Sequence, residues 1–566
     1  MFMSLAYLML CAAPAVFEAD IAPDQPLRYV YVDEPVIVEL RAEEALETAV
    51  QLTVSSHALD EPQTYTLPAR MFTAGSTYWW RVEGVPEARG FYRAQITAGA
   101  LEEWSATLTF CRIDRPGSDF PLPLCVGLEE PDPRVFLALK ALSIGQVRMA
   151  GGGEEAFALA EAVRGHGAGL IVLLPAEDTS AATAHAKAWA ERFGDIVVRW
   201  DLRADSPEGA TRVASAIAAV GVPGSMALAV PNVDTLASLL EAGGVRGVSG
   251  VVLESGDTSP ASIEQARALL ARTGLESWQL HARLPAALSA HDDFPRALVA
   301  HYAAGADSVL IDNEQLLNPE PAPAFAYLNG LDEVLRMHQY MGAVAAGSGH
   351  TALLFREGAA WQVAMWSASA EAGPVRLHVG EASALVLQDA MRNALPAPEP
   401  QEGVVTLEPR TTVRVLTGSG GNLLLDVAEA RAVALAGRFS RERAYNAQLW
   451  PELMEHVAAV AARPGERRDR DRFLTLLRFL PRIESARNMG EIPAETAFAA
   501  SAELMAIMRA LCVVQESTGE RFHAPRAARQ QQRGGARVSE RGGSLPPRHG
   551  YGAGSQYAGR PGAAPP

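Results

Sequence analysis

Between residues 121 and 317, short apolar runs alternate with amphipathic stretches, and this alternation constrains the fold more than any other feature of the chain. The runs are PLCVGL, GQVRMA, GLIVLLP, DIVVRWDL, SMALAVP, VSGVVLE, SWQLHA and DSVLID. Helical stretches separate them, from DPRVFLALKALSI to DDFPRALVAHYAAGA. Several runs are apolar along most of their length, as parallel strands covered on both faces must be. Eight strands with seven intervening helices predict a (β/α)8 TIM barrel over 118–342, closed by the helix around AFAYLNGLDEVLRMHQYM.

The flanks read differently. From 24 to 114, strand-like runs such as VIVELRA, AVQLTVSS, STYWWRVEG and GFYRAQITAG are divided by turn-rich breaks, which predicts an immunoglobulin-like β-sandwich. Tyr78, Trp79 and Trp80 there serve either core packing or a sugar-stacking platform, and packing is the simpler expectation. Strand-like runs return over 343–417, from HTALLFREG to TTVRVLTG, predicting a second β-sandwich. Helical spacing then dominates 423–516, as in DRFLTLLRFLPRIESARN. The tail, 520–566, is Gly-, Pro- and Arg-rich and is expected to be disordered. The chain is thus a multidomain α/β protein.

A formal charge of −17 over 566 residues argues against nucleic acid as the main partner, because phosphate binding needs positive surface. The opening segment, MFMSLAYLMLCAAPAVFEAD, has an apolar run of secretory length and a small-residue site at Ala13-Pro14-Ala15. A signal peptide over 1–15 is expected, with the mature protein secreted, periplasmic or in the cell envelope. No other apolar stretch approaches the ~20 residues of a membrane span. Beyond Cys11, the cysteines are Cys111, Cys125 and Cys512. Cys111 and Cys125 flank a domain junction and either bridge or stand as separately buried thiols; the odd count and the lack of CxxC spacing favour the latter. No HExxH, GxSxG, P-loop or dinucleotide fingerprint stands in a suitable context, so no metal or cofactor is expected.

In a barrel of this kind, chemistry sits at the carboxyl ends of the strands. Those ends carry Glu129 and Glu130, Arg148, Glu177 and Asp178, Asp201 and Asp205, and Asn232 and Asp234 on the first five strands. The last three carry Glu254 and Asp257, His281 and Arg283, and Asp312 and Glu314. Such an acidic rim suits a neutral polyol such as a glycan or polysaccharide better than a phosphate.

The order sandwich, barrel, sandwich resembles clan-A retaining glycoside hydrolases, especially families 39 and 5. LKALSIGQVRMA resembles their second-strand region, where an arginine supports the catalytic carboxylates; Arg148 falls there. RFGDIVVRWDLRADSPEG resembles their fourth strand, with Trp200 and Asp201 in register and Asp205 where the acid/base glutamate stands. FPRALVAHYAAGADSVLIDNEQ resembles the last helix and strand, and HTALLFREGAAWQVAMWSAS the appended β domain. The resemblance implies carbohydrate at the barrel mouth, contacted by Arg148, Trp200, Asp201, His281, Asp312 and Glu314.

The departures from that family bear on catalysis. Retaining hydrolysis needs two carboxyl groups about 5 to 5.5 Å apart. Asp205 is one methylene shorter than the expected glutamate, and Ala204 replaces its asparagine neighbour. The seventh strand, SWQLHARLP, offers Ala282 between His281 and Arg283 and no carboxylate. An active site would have to recruit Glu254, Asp312 or Glu314; Glu254, ending an apolar strand, is the natural proton donor if burial raises its pKa. Plainer roles stay open for each. Asp205-Ser206-Pro207-Glu208 also reads as a helix start, Glu254 as an ordinary rim residue, His281 as a satisfied polar group, and Asp312 and Glu314 as loop anchors. The expectation is a glycoside hydrolase-like protein whose catalysis is lost or altered, with Asp205 and Glu254 as the candidate reacting groups. A non-catalytic carbohydrate-binding or structural cell-envelope protein is the alternative.

Overall fold

The computed structural model describes residues 17–420 apart from short internal breaks, together with parts of 423–504. The segments expected to be a signal peptide and a disordered tail, Cys512 and much of the helical region lie outside the described residues, as do Asp205, Glu129, Glu130, Glu177 and Asp257.

The first domain forms two sheets. β1 (Phe17–Ile21), β3 (Val36–Ala42) and β6 (Thr77–Val82) make one, in that order. The other runs β2 (Tyr29–Tyr31), β8 (Trp104–Ile113), β7 (Gly90–Ala98), β4 (Leu46–Ser56), β5 (Gln63–Phe72). The alternation that predicted strands is the alternation of burial: Tyr92, Ala94 and Ile96 face inward along β7, with Arg93 and Gln95 outward. Tyr92 donates to the Ala88 carbonyl at 2.5 Å, a tyrosine latch four residues back along the chain as in immunoglobulin-like domains. Trp80 points into this core and Trp79 out of it, at 48 % exposure. β1 lies ahead of the expected boundary at 24; its only large apolar residues are Phe17 and Ile21, too few for a legible pattern.

The barrel closes. β9 (Leu122–Leu128), β10 (Ile144–Ala150), β11 (Gly169–Pro175), β12 (Val197–Arg203), β13 (Ser225–Val230), β14 (Gly250–Leu253), β15 (Gln279–Arg283) and β16 (Ser308–Asp312) pair in parallel, and β16 returns to β9. Around them run α1 (Arg134–Leu142), α2 (Glu154–Gly165), α3 (Thr179–Phe193), α4 (Pro207–Val220), α5 (Val233–Glu241), α6 (Pro260–Arg272) and α7 (Asp293–Ala303). Three short helices follow, α8 (Asn313–Leu317), α9 (Pro323–Gly330) and α10 (Asp332–Met337). The main core lies between strands and helices, where Trp189, Phe193, Trp200 and Leu202 are fully buried. Cys111 and Cys125 are buried, unbridged thiols.

The second sandwich begins earlier than 343, because β17 (Gln339–Ala343) pairs with β18 (His350–Glu357) rather than closing the barrel. One sheet runs β17, β18, β19 (Ala360–Ser367), β23 (Arg414–Ser419), β21 (Ser383–Asp389); β20 (Val375–His378) and β22 (Val404–Leu407) form the other. In the helical region α11 (Asp469–Asn488) buries Phe479, Ile483 and Ala486, one stripe at helical spacing. Among the described residues no helix is long and apolar enough to cross a membrane.

Two asparagines bridge the first domain to the other two, across borders that one continuous apolar core also spans. Asn393 of the second sandwich accepts from the Arg89 amide at 2.6 Å and donates to the Arg89 carbonyl at 2.8 Å. Asn329 of α9 does the same to Asp114, at 2.9 and 3.1 Å. Gly330, beside it, has no Cβ because one would fall inside the Ala390 carbonyl of the second sandwich.

Candidate functional site

Strand alternation decides which side chains enter the barrel. In VVRWDLR, Arg199, Asp201 and Arg203 point inward while Trp200 and Leu202 join the outer core. Trp200 is therefore not a mouth residue, contrary to the expectation from the sequence. It is fully buried, and its indole donates to the Pro223 carbonyl at 2.5 Å.

The interior is built around arginine. Barrels of this type usually fill their lumen with branched apolar residues, and Cys125, Ile171 and Leu310 do form one small apolar cluster. Ala227, Ala229 and Val252 form a second small apolar cluster, with Leu173 packed against it. Arg199 Nε donates to Asp201 Oδ1 at 2.6 Å and Arg199 Nη2 to Asp201 Oδ2 at 3.2 Å. Arg148 Nε lies 2.8 Å from Asp201 Oδ2, an ion pair whose N–H is turned away from hydrogen-bond alignment. Burial opposes the charge on Asp201, but the Arg199 and Arg148 guanidiniums outweigh it and hold the carboxyl below the usual carboxylate range.

His281 completes this layer. Its Nε2 stands 2.7 Å from Arg199 Nη1 and its Nδ1 2.6 Å from Ser308 Oγ. Arginine only donates, so Nε2 accepts, and the neutral ring carries its proton on Nδ1 and gives it to Ser308. Burial, reinforced by Arg199, pushes the imidazole down to about 3. A ring so placed has no lone pair or proton left for a substrate; it is a satisfied polar group.

Above it, toward the strand ends, Glu254 bonds Arg148 through a short contact and meets Arg203 at 3.4 Å. Two guanidiniums thus engage the Glu254 oxygens at the end of this apolar strand. Asp312 accepts from Arg283 at 2.8 and 3.2 Å. Its backbone N–H donates to Gln315, whose amide reaches the Pro285 carbonyl at 2.9 Å. Glu314 is exposed in the first turn of α8 and stands outside this network. Arg148, Asp201, His281 and Glu254 are thus brought together, Asp312 is held beside them by Arg283, and Asp205 lies outside the described residues.

Several other rim residues serve their helices. Ser206 caps α4 through Gly209 N at 3.2 Å with Pro207 in the first turn, Asn232 caps α5 and Asp178 caps α3. The expectation of a carboxylate-rich mouth missed Arg199, Arg203 and Ser308. Period-two alternation through VVRWDLR, which places both arginines on the Asp201 face, is the signal that finds them.

No protein-family profile matches the chain, and no curated protein matches it by sequence. Its fold does have solved counterparts. A family 39 glycoside hydrolase from the gut symbiont Bacteroides cellulosilyticus superposes over 71 % of this chain and 100 % of its own, at a TM-score of 0.56 and 13 % identity. A GH30 endoxylanase from Clostridium papyrosolvens aligns over 54 % of this chain and 99 % of its own (TM-score 0.40, 9 % identity). An α-amylase from Anoxybacillus aligns over 52 % and 97 % (TM-score 0.39, 9 % identity). The chain carries a glycoside hydrolase-like (β/α)8 barrel between two β domains.

Proposed function

We propose that the barrel mouth binds a glycan and that hydrolysis there is lost or greatly altered. One observation carries this reading: each described carboxylate inside the barrel is already paired with arginine. Asp201 lies between Arg148 and Arg199, Glu254 between Arg148 and Arg203, and Asp312 on Arg283. Glycoside cleavage by two carboxyls needs one of them free to deliver a proton. On β15, where the family places its nucleophile, the inward residue Arg283 is a cation and Ala282 packs outward. What the mouth offers a sugar is a set of hydrogen-bonding groups, Arg203, Asp312 and Glu314, suited to hydroxyls. The apolar segment ending in Ala13-Pro14-Ala15 supports action outside the cytoplasm.

A displaced reacting pair, Asp205 with Glu254, draws on the Arg148 contact in the opposite sense, since an arginine-held carboxylate suits attack better than proton delivery. The experiment that separates the readings joins affinity electrophoresis in polysaccharide gels to a reducing-sugar assay on the same polymers. Retardation by at least one polysaccharide is expected, weakened about tenfold by Arg203→Ala, with no sugar released. Release abolished by Glu254→Gln and Asp205→Asn establishes the displaced pair instead. Neither retardation nor release ends the carbohydrate reading.

A further inference from the structure

Away from the mouth, a cavity of about 630 Å³ lies where the second sandwich meets Tyr327 of α9 and His57 of the first. That is the size of a small-molecule site, ~300–1,000 Å³. Arg410 and Arg414 line it, together with apolar Leu387, Met391 and Pro396.

Arg414 opens β23 and is only 6 % exposed. Its Nη2 donates to the Glu408 carbonyl at 2.6 Å, and its Nε–H is buried without a partner. Among the described residues no carboxylate forms an ion pair with it or with the exposed Arg410. Burial first, and then the neighbouring charge of Arg410, hold Arg414 below the usual arginine range, against a partial offset from the charge of Glu408. Two acids border the cavity and neither forms an ion pair with these arginines. Asp389 spends its oxygens on the amides of Met391 and Asn393 and on the Asn393 side chain, each at 2.8 Å. Glu408 is exposed and its carboxylate pairs with neither arginine. Two guanidiniums lining one cavity, neither in an ion pair with a described carboxylate, are a charge arrangement completed by an anion.

We propose that this cavity binds a small oxyanion, held by the Arg414 and Arg410 guanidiniums with its body against Leu387, Met391 and Pro396. The planar fork of arginine accepts carboxylate and phosphate alike, so the chemistry fixes the head group class and experiment must choose within it. The full-length protein is titrated calorimetrically with glucuronate and, separately, with inorganic phosphate, at constant ionic strength in chloride. Saturable binding of one or both is expected, weakened about tenfold in Arg410→Gln, lost in Arg414→Gln and unchanged in Arg376→Gln, a surface arginine of the same domain. Preference for glucuronate assigns a carboxylate ligand, and preference for phosphate a phosphoryl one. Absence of saturable binding by both anions, or binding that Arg410→Gln and Arg414→Gln retain, overturns the proposal. Arg410 is exposed, so its variant tests the site even where Arg414→Gln fails to fold.

Discussion

At the scale of single residues, the barrel interior is a chain of obligations. Arg199 needs Asp201, Asp201 needs both arginines, and His281 accepts from one and donates to Ser308. Removing one partner strands the others in a dry interior, so Asp201→Ala should cost about 3–5 kcal/mol in urea unfolding. The same chemistry sets an acid limit. His281 is held near 3 in the folded protein, against about 6.5 for a free imidazole. Between those values the unfolded chain binds the extra proton, so stability is full above about pH 6.5 and falls as pH drops toward 3. Asp201, depressed by its arginines, adds a loss at lower pH, as the folded carboxyl finally protonates. Unfolding free energies measured from pH 7 to 4 should show this slope, and His281→Gln should flatten it. A slope that His281→Gln leaves intact would assign the acid sensitivity to other groups.

At the scale of elements, legibility follows the kind of signal each element leaves. The barrel strands were readable because covering both faces demands long apolar runs, and the helix start at Ser206-Pro207 because capping needs those residue types. Ser206→Ala should therefore cost about 1 kcal/mol in thermal or urea unfolding while leaving glycan retardation unchanged, since the cap serves α4 and not the mouth. β1, with large apolar residues only at its two ends, leaves no pattern, and β17 reads as the end of the barrel because pairing partners across 339–357 are a tertiary fact. The site was half legible. Positions at strand ends could be named from spacing, but partnership could not. Nothing in the text of VVRWDLR says that Arg203 turns to Glu254 or that Arg199 finds a histidine 82 residues on. Trp200 shows the same limit: the resemblance implies a place at the mouth, while the parity of its strand carries it to the outer core.

At the scale of the whole molecule, the three domains share one apolar core, in which Ile113 of the first, Phe325 of α9 and Phe355 of the second sandwich belong to the same cluster, and paired amide bonds add to it at the borders. Each asparagine clasp satisfies one backbone N–H and one carbonyl, worth about 1 kcal/mol per bond. The double substitution Asn329→Ala with Asn393→Ala, which removes four such bonds, should lower the calorimetric unfolding temperature of the protein. A single unshifted transition would place the coupling elsewhere, in contacts such as the stacked rings of Tyr29 and Phe325, 5.6 Å apart. One of the clasps sits on α9, all of whose residues from Pro323 to Gly330 are buried. A helix with no wet side cannot serve as the outer wall of a free-standing cylinder. Anyone excising the central third for separate expression will thus bare a greasy seam and harvest aggregates, however cleanly the cut follows the module borders visible in the text.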